Sequence, residues 1–283
     1  MDSDERFPLT WFDGQIHEAG RGIGLSPSDH GVTVGDGAFE TIRILHGRAF
    51  AVDQHMDRLA ASLSGLGIRE PNLAVVRSAI DSVAEGSALA DGRLRVTVTA
   101  GTSPLSSVRG VGQPTVLVAA EPSTPVAELE SLVTCPWTRN ERGVLAGIKS
   151  TSYADNVIAL AWAKARGAGD AIFHNTQGHI SEGTGSNLFA LIDGVLVTPP
   201  IGSSGCLAGI TRSIVLDLSR SALERPILPT ELATATEIFL TSTSRDVQPV
   251  GRLDNRPLPR APGPITSKIR DQFLRFQRSQ LGV

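Results

Sequence analysis

The chain has 283 residues, 41% hydrophobic and 19% charged, an ordinary globular composition that excludes disordered, collagenous and fibrous classes. At roughly 150 residues per domain, this length predicts two domains or one large one. Its 26 basic and 29 acidic residues leave a net charge of −3, too weak a field to wrap nucleic acid or coat an anionic membrane.

Residues 10–17 read as a hairpin turning at Asp13-Gly14, and residues 38–45 as a strand ending in a turn at His46-Gly47. Asp53 is placed to cap a helix running to Leu66, with Met56, Leu59, Ala60 and Leu63 on one face and Gly65 and Gly67 at its end. A second helix covers residues 73–83. Residues 94–100 alternate as a half-buried strand does, and 116–120 are the expected partner. Residues 121–126 contain Pro122 and Pro125 and show no periodicity, which makes them the best linker candidate. The predicted organisation is a small N-terminal domain over 1–120, a linker over 121–130 and a larger domain over 131–283. In the larger domain, 154–166 read as a helix stopped by Gly167 and Gly169, and 170–174 as a strand. Residues 186–191 and 195–198 form a hairpin across Asp193-Gly194, 211–222 a helix and 237–241 a strand. Both halves are α/β with some α+β character, and no repeat of 20–50 residues points to a solenoid or propeller.

The start of the chain, Met1 to Arg6, is acidic where a secretory leader would be basic, and no run approaches the 18 or so apolar residues of a membrane span. The expected location is the cytoplasm. Cys135 and Cys206 lie far apart, form no CxxC pair and read as buried small hydrophobes. The histidines at 17, 30, 46, 55, 174 and 179 lack ligand spacing, so no metal is expected.

The 26 basic residues divide into 23 arginines and three lysines, Lys149, Lys164 and Lys268. Lys164 and Lys268 fall on helical stretches that read as solvated. Lys149 stands among small and apolar residues, from Leu145 to Tyr153, just before a helix. A lysine there is expected to be desolvated, which lowers its pKa and makes its amine a nucleophile.

No GxxxxGK[ST], GxGxxG or GxSxG motif is present, which removes the main support for a P-loop enzyme, a dinucleotide dehydrogenase or an α/β-hydrolase. In residues 205–215, glycines and then Thr211 lead into an amphipathic helix. That start is either a phosphate site or a plain cap by Thr211. Glu182, hemmed by glycines, is either a turn carboxylate or one held against a cation. Residues 241–245 offer hydroxyls to an anion. Taken with Arg58 on an early helix, these groups match the needs of pyridoxal 5'-phosphate (PLP), namely a Schiff-base lysine, an acid for the ring nitrogen and donors for the phosphate.

The segments Gly35-Asp-Gly-Ala-Phe-Glu-Thr-Ile-Arg43, His55-Met-Asp-Arg58, Lys149-Ser-Thr-Ser-Tyr153, Glu182-Gly-Thr-Gly-Ser-Asn-Leu-Phe189, Leu207-Ala-Gly-Ile-Thr-Arg212 and Thr241-Ser-Thr-Ser-Arg245, in this order, resemble the class IV aminotransferase family. The resemblance covers about residues 10 to 260. It implies a two-domain fold type IV PLP enzyme, with a small N-terminal α/β domain and a larger C-terminal α/β pseudo-barrel domain carrying Lys149. By the same resemblance Lys149 carries the Schiff base and Glu182 pairs with the ring nitrogen. Arg58, Thr211, Thr243 and the amide of Ile210 bind the phosphate, Leu207 packs on the ring, Tyr153 lies near its hydroxyl, and the enzyme is a homodimer.

Within that family, Phe39 replaces the tyrosine that D-amino-acid transaminases use to hold the substrate carboxylate, and residues 99–107 lack their Arg-x-His. Arg109 is a candidate replacement cation, because its charge is permanent and its fork bidentate. The GDGAFET motif resembles actinobacterial 4-amino-4-deoxychorismate lyases, which implies pyruvate elimination to give 4-aminobenzoate in folate synthesis. The alternatives are a transaminase of D-amino acids, branched-chain amino acids or (R)-amines, and a non-enzymatic module that binds a phosphate ligand.

Overall fold

The structure is a computed structural model and describes residues 9–18 and 22–282. The acidic start, residues 1–6, lies outside the described residues. The chain divides into two compact units. The first runs to Thr124 and takes in Ile148–Tyr153 and the chain end from Ser279. The second comprises Pro125–Gly147 and Ala154–Arg278.

The first unit contains β1 (Leu9–Phe12), β2 (Gln15–His17), α1 (His30–Thr33), β3 (Gly37–Leu45), β4 (Arg48–Ala49), α2 (Val52–Leu66), α3 (Leu73–Gly86), β5 (Asp91–Thr99) and β6 (Thr115–Pro122). Its six strands form an antiparallel sheet in the order β2-β1-β6-β5-β3-β4. Inward residues Ile42 and Ile44 of β3 and Leu94, Val96 and Val98 of β5 meet Met56, Leu59 and Leu63 of α2 and Val76, Ile80 and Val83 of α3. The period of 2 in the strands and 3.6 in the helices makes this two-layer core.

The second unit contains β7 (Glu130–Arg139), α4 (Ala154–Lys164), β8 (Asp170–Asn175), β9 (Ile180–Gly183), β10 (Asn187–Ile192), β11 (Val195–Thr198), α5 (Ile210–Leu218), β12 (Leu223–Glu224), α6 (Pro229–Leu232), β13 (Glu237–Ser242), β14 (Asp246–Leu253), β15 (Arg256–Pro257) and most of α7 (Pro264–Leu281). Nine strands build a mixed sheet in the order β12-β11-β10-β13-β14-β7-β8-β9, with β15 on β14. β7 pairs in parallel with both β8 and β14, and Leu132, Ile172, Leu188, Ala190, Ile238, Leu240 and Val250 are buried in its core.

Three expectations are corrected. The passage between units falls at Thr124/Pro125, inside the predicted linker, but Ile148–Tyr153 packs with the first unit rather than with 131–283. The reason is hydrogen bonding to β3, described below. Asp53 does not cap α2: Ala51 occupies that position in the left-handed conformation (φ 57°) without a side-chain bond, and Asp53 pairs instead with Arg77. The helix expected over 211–222 begins at Ile210 and ends at Leu218. Among the described residues no helix is long and apolar enough to cross a membrane.

Candidate active site

In the first unit, the Gly35-Asp-Gly motif exists to bring the lysine segment against β3. The N–H of Phe39 donates to the carbonyl of Lys149 at 3.0 Å, and the N–H of Thr151 to that of Gly37 at 2.8 Å. The hydroxyls of Thr151 and Ser152 both donate to the Gly35 carbonyl, at 2.8 and 2.9 Å. Gly35 has φ +69°, and a Cβ there would stand 2.9 Å from the Ser152 hydroxyl, so glycine alone suits the position.

Alternation along β3 then sends Phe39 and Glu40 to opposite faces. Phe39, 4% exposed, receives the Lys149 Nζ at 4.4 Å from its ring centroid and the Arg95 guanidinium at 3.8 Å. Arg95 stands opposite Thr41 across β3 and β5, a diagonal neighbour of Phe39 on the same face. Tyr153 meets Phe39 edge-on at 5.3 Å. The structure thus brings Lys149, Tyr153 and Arg95, a residue outside the sequence expectations, around the ring of Phe39.

Glu40 faces the helices from a core position and is 1% exposed. A carboxylate there is tolerable only if its charge is met. Arg58 donates from Nε and Nη2 to its two oxygens at 2.8 and 2.7 Å, and His55, three residues earlier on α2, donates from Nδ1 at 2.6 Å. Burial alone would raise the Glu40 pKa, but the hydrogen bonds of Arg58 and His55 and the charge of Arg58 bring it down to about 2. Burial lowers the His55 pKa, so the imidazole stays neutral and Arg58 carries the balancing charge. Arg109 lies elsewhere: it grips Asp36 with Nε and Nη2, both at 2.6 Å, and donates from Nη1 to the Gly67 carbonyl at 3.0 Å. Its fork is already committed to a carboxylate of its own chain.

In the second unit, Glu182 on β9 accepts the Leu207 N–H at 2.9 Å, and Asn187 at the start of β10 donates to the Leu207 carbonyl at 2.9 Å. Leu207 is therefore held at both ends of its peptide. Two residues on, α5 starts at an N-cap that is Gly209, not Thr211, and no side chain caps the helix. A Cβ at Gly209 would lie 1.9 Å from the Asn187 Oδ1, so the approach is sterically closed to other residues. Thr211 sits buried in the first turn, beside Ile210. The hydroxyl of Thr241 is buried without a hydrogen-bond partner, and Thr243 follows it at the end of β13. An uncapped helix start and an orphaned buried hydroxyl fit a phosphate, which would satisfy donors that no side chain reaches.

Known proteins resemble this chain over most of its length. The family model described as amino-transferase class IV matches residues 37–253. A protein of Methanocaldococcus jannaschii whose name is that of a branched-chain-amino-acid aminotransferase is 34% identical, over 88% of this chain and 90% of its own length. A D-alanine aminotransferase of Bacillus licheniformis is 31% identical, over 91% of this chain and 93% of its own. A hypothetical aminotransferase of Mycobacterium tuberculosis, in its PLP-bound form, superposes with a TM-score of 0.85 at 28% identity, covering 96% of this chain and 99% of that one. The fold is fold type IV, and an enzyme replaces the alternative of a non-enzymatic binding module. The chain belongs to the class IV aminotransferases, enzymes that work with PLP.

Proposed function

We propose that this enzyme transfers the amino group of an aliphatic amino acid to a 2-oxo acid. The observation that carries the reading is the shared ring of Phe39, which places the Lys149 amine and the Arg95 guanidinium within 4.4 Å of one centroid. A nucleophilic amine beside a permanent cation suits a substrate that is both amine and carboxylate, and the aromatic wall of Phe39 and Tyr153 suits an apolar side chain. Relatives at 31% and 34% identity with aminotransferase names support the same reaction class.

In this proposal Lys149 holds the PLP aldehyde and moves the proton at the substrate's amine-bearing carbon through its Nζ. Glu182 holds a proton at the ring nitrogen. Arg58, Thr211, Thr243 and the Ile210 amide bind the phosphate, Leu207 packs on the ring, and Tyr153 lies by the ring hydroxyl. When bound, PLP supplies the electron sink that makes this carbon acidic. Arg95, on the Phe39 ring that also meets Lys149, takes the substrate role in place of Arg109, which lies at its contact with Asp36 and Gly67. The working form in this reading is a cytoplasmic homodimer.

A lyase acting on 4-amino-4-deoxychorismate is the second reading, favoured by the GDGAFET motif and by Phe39 in place of a carboxylate-binding tyrosine. One assay separates the two. Purified enzyme is given L-leucine, L-valine or D-alanine with 2-oxoglutarate, and separately 4-amino-4-deoxychorismate. Glutamate formation with an aliphatic donor is expected. Release of 4-aminobenzoate and pyruvate without any amino transfer would overturn the proposal in favour of the lyase.

A further inference from the structure

Glu182 has a neighbour that neither the sequence motifs nor the proposed cofactor contacts account for. Arg139, the last residue of β7, brings its Nε to 3.5 Å from the Glu182 Oε1, while the other carboxylate oxygen accepts the Leu207 N–H. The two side chains are 19% and 13% exposed, so water screens the pair only in part. The guanidinium is fixed by other groups. It lies over the Phe173 ring at 4.3 Å, and its Nη2 donates to the Asn156 Oδ1 at 2.9 Å. Asn156 in turn donates to the Thr184 carbonyl at 2.5 Å, two residues beyond Glu182. The Arg139 Nε itself is buried with no hydrogen-bond acceptor. An arginine placed for packing alone would leave that donor in water or bonded; here it faces a carboxylate beyond good bonding distance. What it delivers to Glu182 is charge.

Three further ionisable groups of the second unit are held in contacts of their own or neutral. Asp170 on β8 accepts from the amide and hydroxyl of Thr184, Arg212 of α5 pairs with Glu224, and burial pushes the Cys206 thiol up to about 11, with the Glu182 charge adding to it.

We propose that Arg139 is a positioning residue that keeps Glu182 ionised and so sets the acid limit of the pH range in which the enzyme works. This rests on the reading that Glu182 pairs with the cofactor's ring nitrogen. An opposite charge at 4–6 Å favours a carboxylate by about one to three pH units, so removing it must raise the pH at which Glu182 takes up a proton.

The test compares wild type with Arg139→Met, Arg139→Gln and Arg139→Lys. Two readouts are taken: the acid limb of the kcat/KM profile, and the carbon-13 titration of the Glu182 carboxyl in cofactor-free protein, identified by its loss in Glu182→Gln. In the methionine variant, or in the glutamine variant if the first does not fold, both midpoints are expected to move up by about one unit. In the lysine variant, which retains the charge, they are expected to stay near wild type. An unmoved carboxyl titration in the neutral variants overturns the proposal, as does an equal shift in all three variants, which would make the effect one of packing. A moved carboxyl titration with an unmoved acid limb, together with full activity in Glu182→Gln, would instead remove Glu182 from the cofactor and overturn the reading beneath.

Discussion

Replacing Glu40 by glutamine isolates one charge while leaving its shape, and the structure sets the size of the effect. Three donors from Arg58 and His55 converge on this carboxylate at 2.6 to 2.8 Å, in a core position where water cannot replace them. The carboxyl titrates at about 2 in the folded chain against a reference of 4.5, and at 1.36 kcal/mol per unit this difference amounts to about 3 kcal/mol of stability at neutral pH. A second route gives a similar figure, since removing one partner of a buried ion pair costs about 3–5 kcal/mol by stranding the other. Urea unfolding of Glu40→Gln at pH 7 is therefore expected to show a loss of about 3–4 kcal/mol. In a cycle with Arg58→Met, the double variant is expected to lose less than the sum of the singles. The pH dependence carries the sign. A depressed carboxylate stabilises above its unfolded value near 4.5, and that contribution fades as pH falls toward 2, so about 2 kcal/mol of the gap should close by pH 3. A loss below about 1 kcal/mol at pH 7, or a gap of the same size at pH 3, would refute the assignment of Glu40 as the charge that holds Arg58.

Three further outcomes are expected. His30 is buried, with its Nδ1 3.1 Å from the Asp36 carboxylate and its Nε2 2.8 Å from the Ser106 carbonyl; these bonds, Asp36 first, raise its pKa above 6.5. The doubly protonated ring stabilises fully below 6.5 and is lost as pH rises through the higher folded value, so hydrogen exchange over residues 103–110, corrected for intrinsic rate, should quicken on the alkaline side and lose this dependence in His30→Phe. Lys149→Ala should abolish both amino transfer and the borohydride-fixable covalent link between PLP and the chain, read by mass spectrometry of the purified protein; retention of either would remove the lysine from its proposed role. In Gly209→Ala the new Cβ meets the Asn187 Oδ1 at 1.9 Å and must displace the start of α5. Equilibrium dialysis should then show PLP bound at least about tenfold more weakly, some 1.4 kcal/mol, with phosphate-free pyridoxal little affected.

The elements most legible in the sequence carry their own local period or turn chemistry. The β10–β11 hairpin across Asp193-Gly194 and the alternation of β5 emerge where expected, because both signals are contained within a few residues. β7 and β14 escape that logic. Pro136 and Pro249 interrupt them, and the register of β7 with β8 shifts between Thr134 and Thr138, so neither strand carries a continuous local period.

The allegiance of Ile148–Tyr153 is hidden for a different reason. It depends on bonds to residues more than a hundred positions earlier, and six residues with no periodicity cannot announce such a partner. The site shows the same division. Lys149 stood out because three lysines among 26 basic residues let each be weighed against its surroundings. Glu40 lies inside the Gly35–Arg43 motif, where an acid at inward strand parity, between Ala38 and Ile42, is the kind of local conflict that marks a functional charge. Strand parity set against residue type points to Glu40, and from it to the neighbours that make it tolerable, a cation and a donor one helical turn apart on α2. Arg139 offers no such signal: at the end of β7 its burial depends on Phe173 and Asn156, which reach it from β8 and α4. A buried acid on a strand can thus be inferred from parity alone, whereas the cation that tunes a carboxylate across elements becomes visible only with the distances.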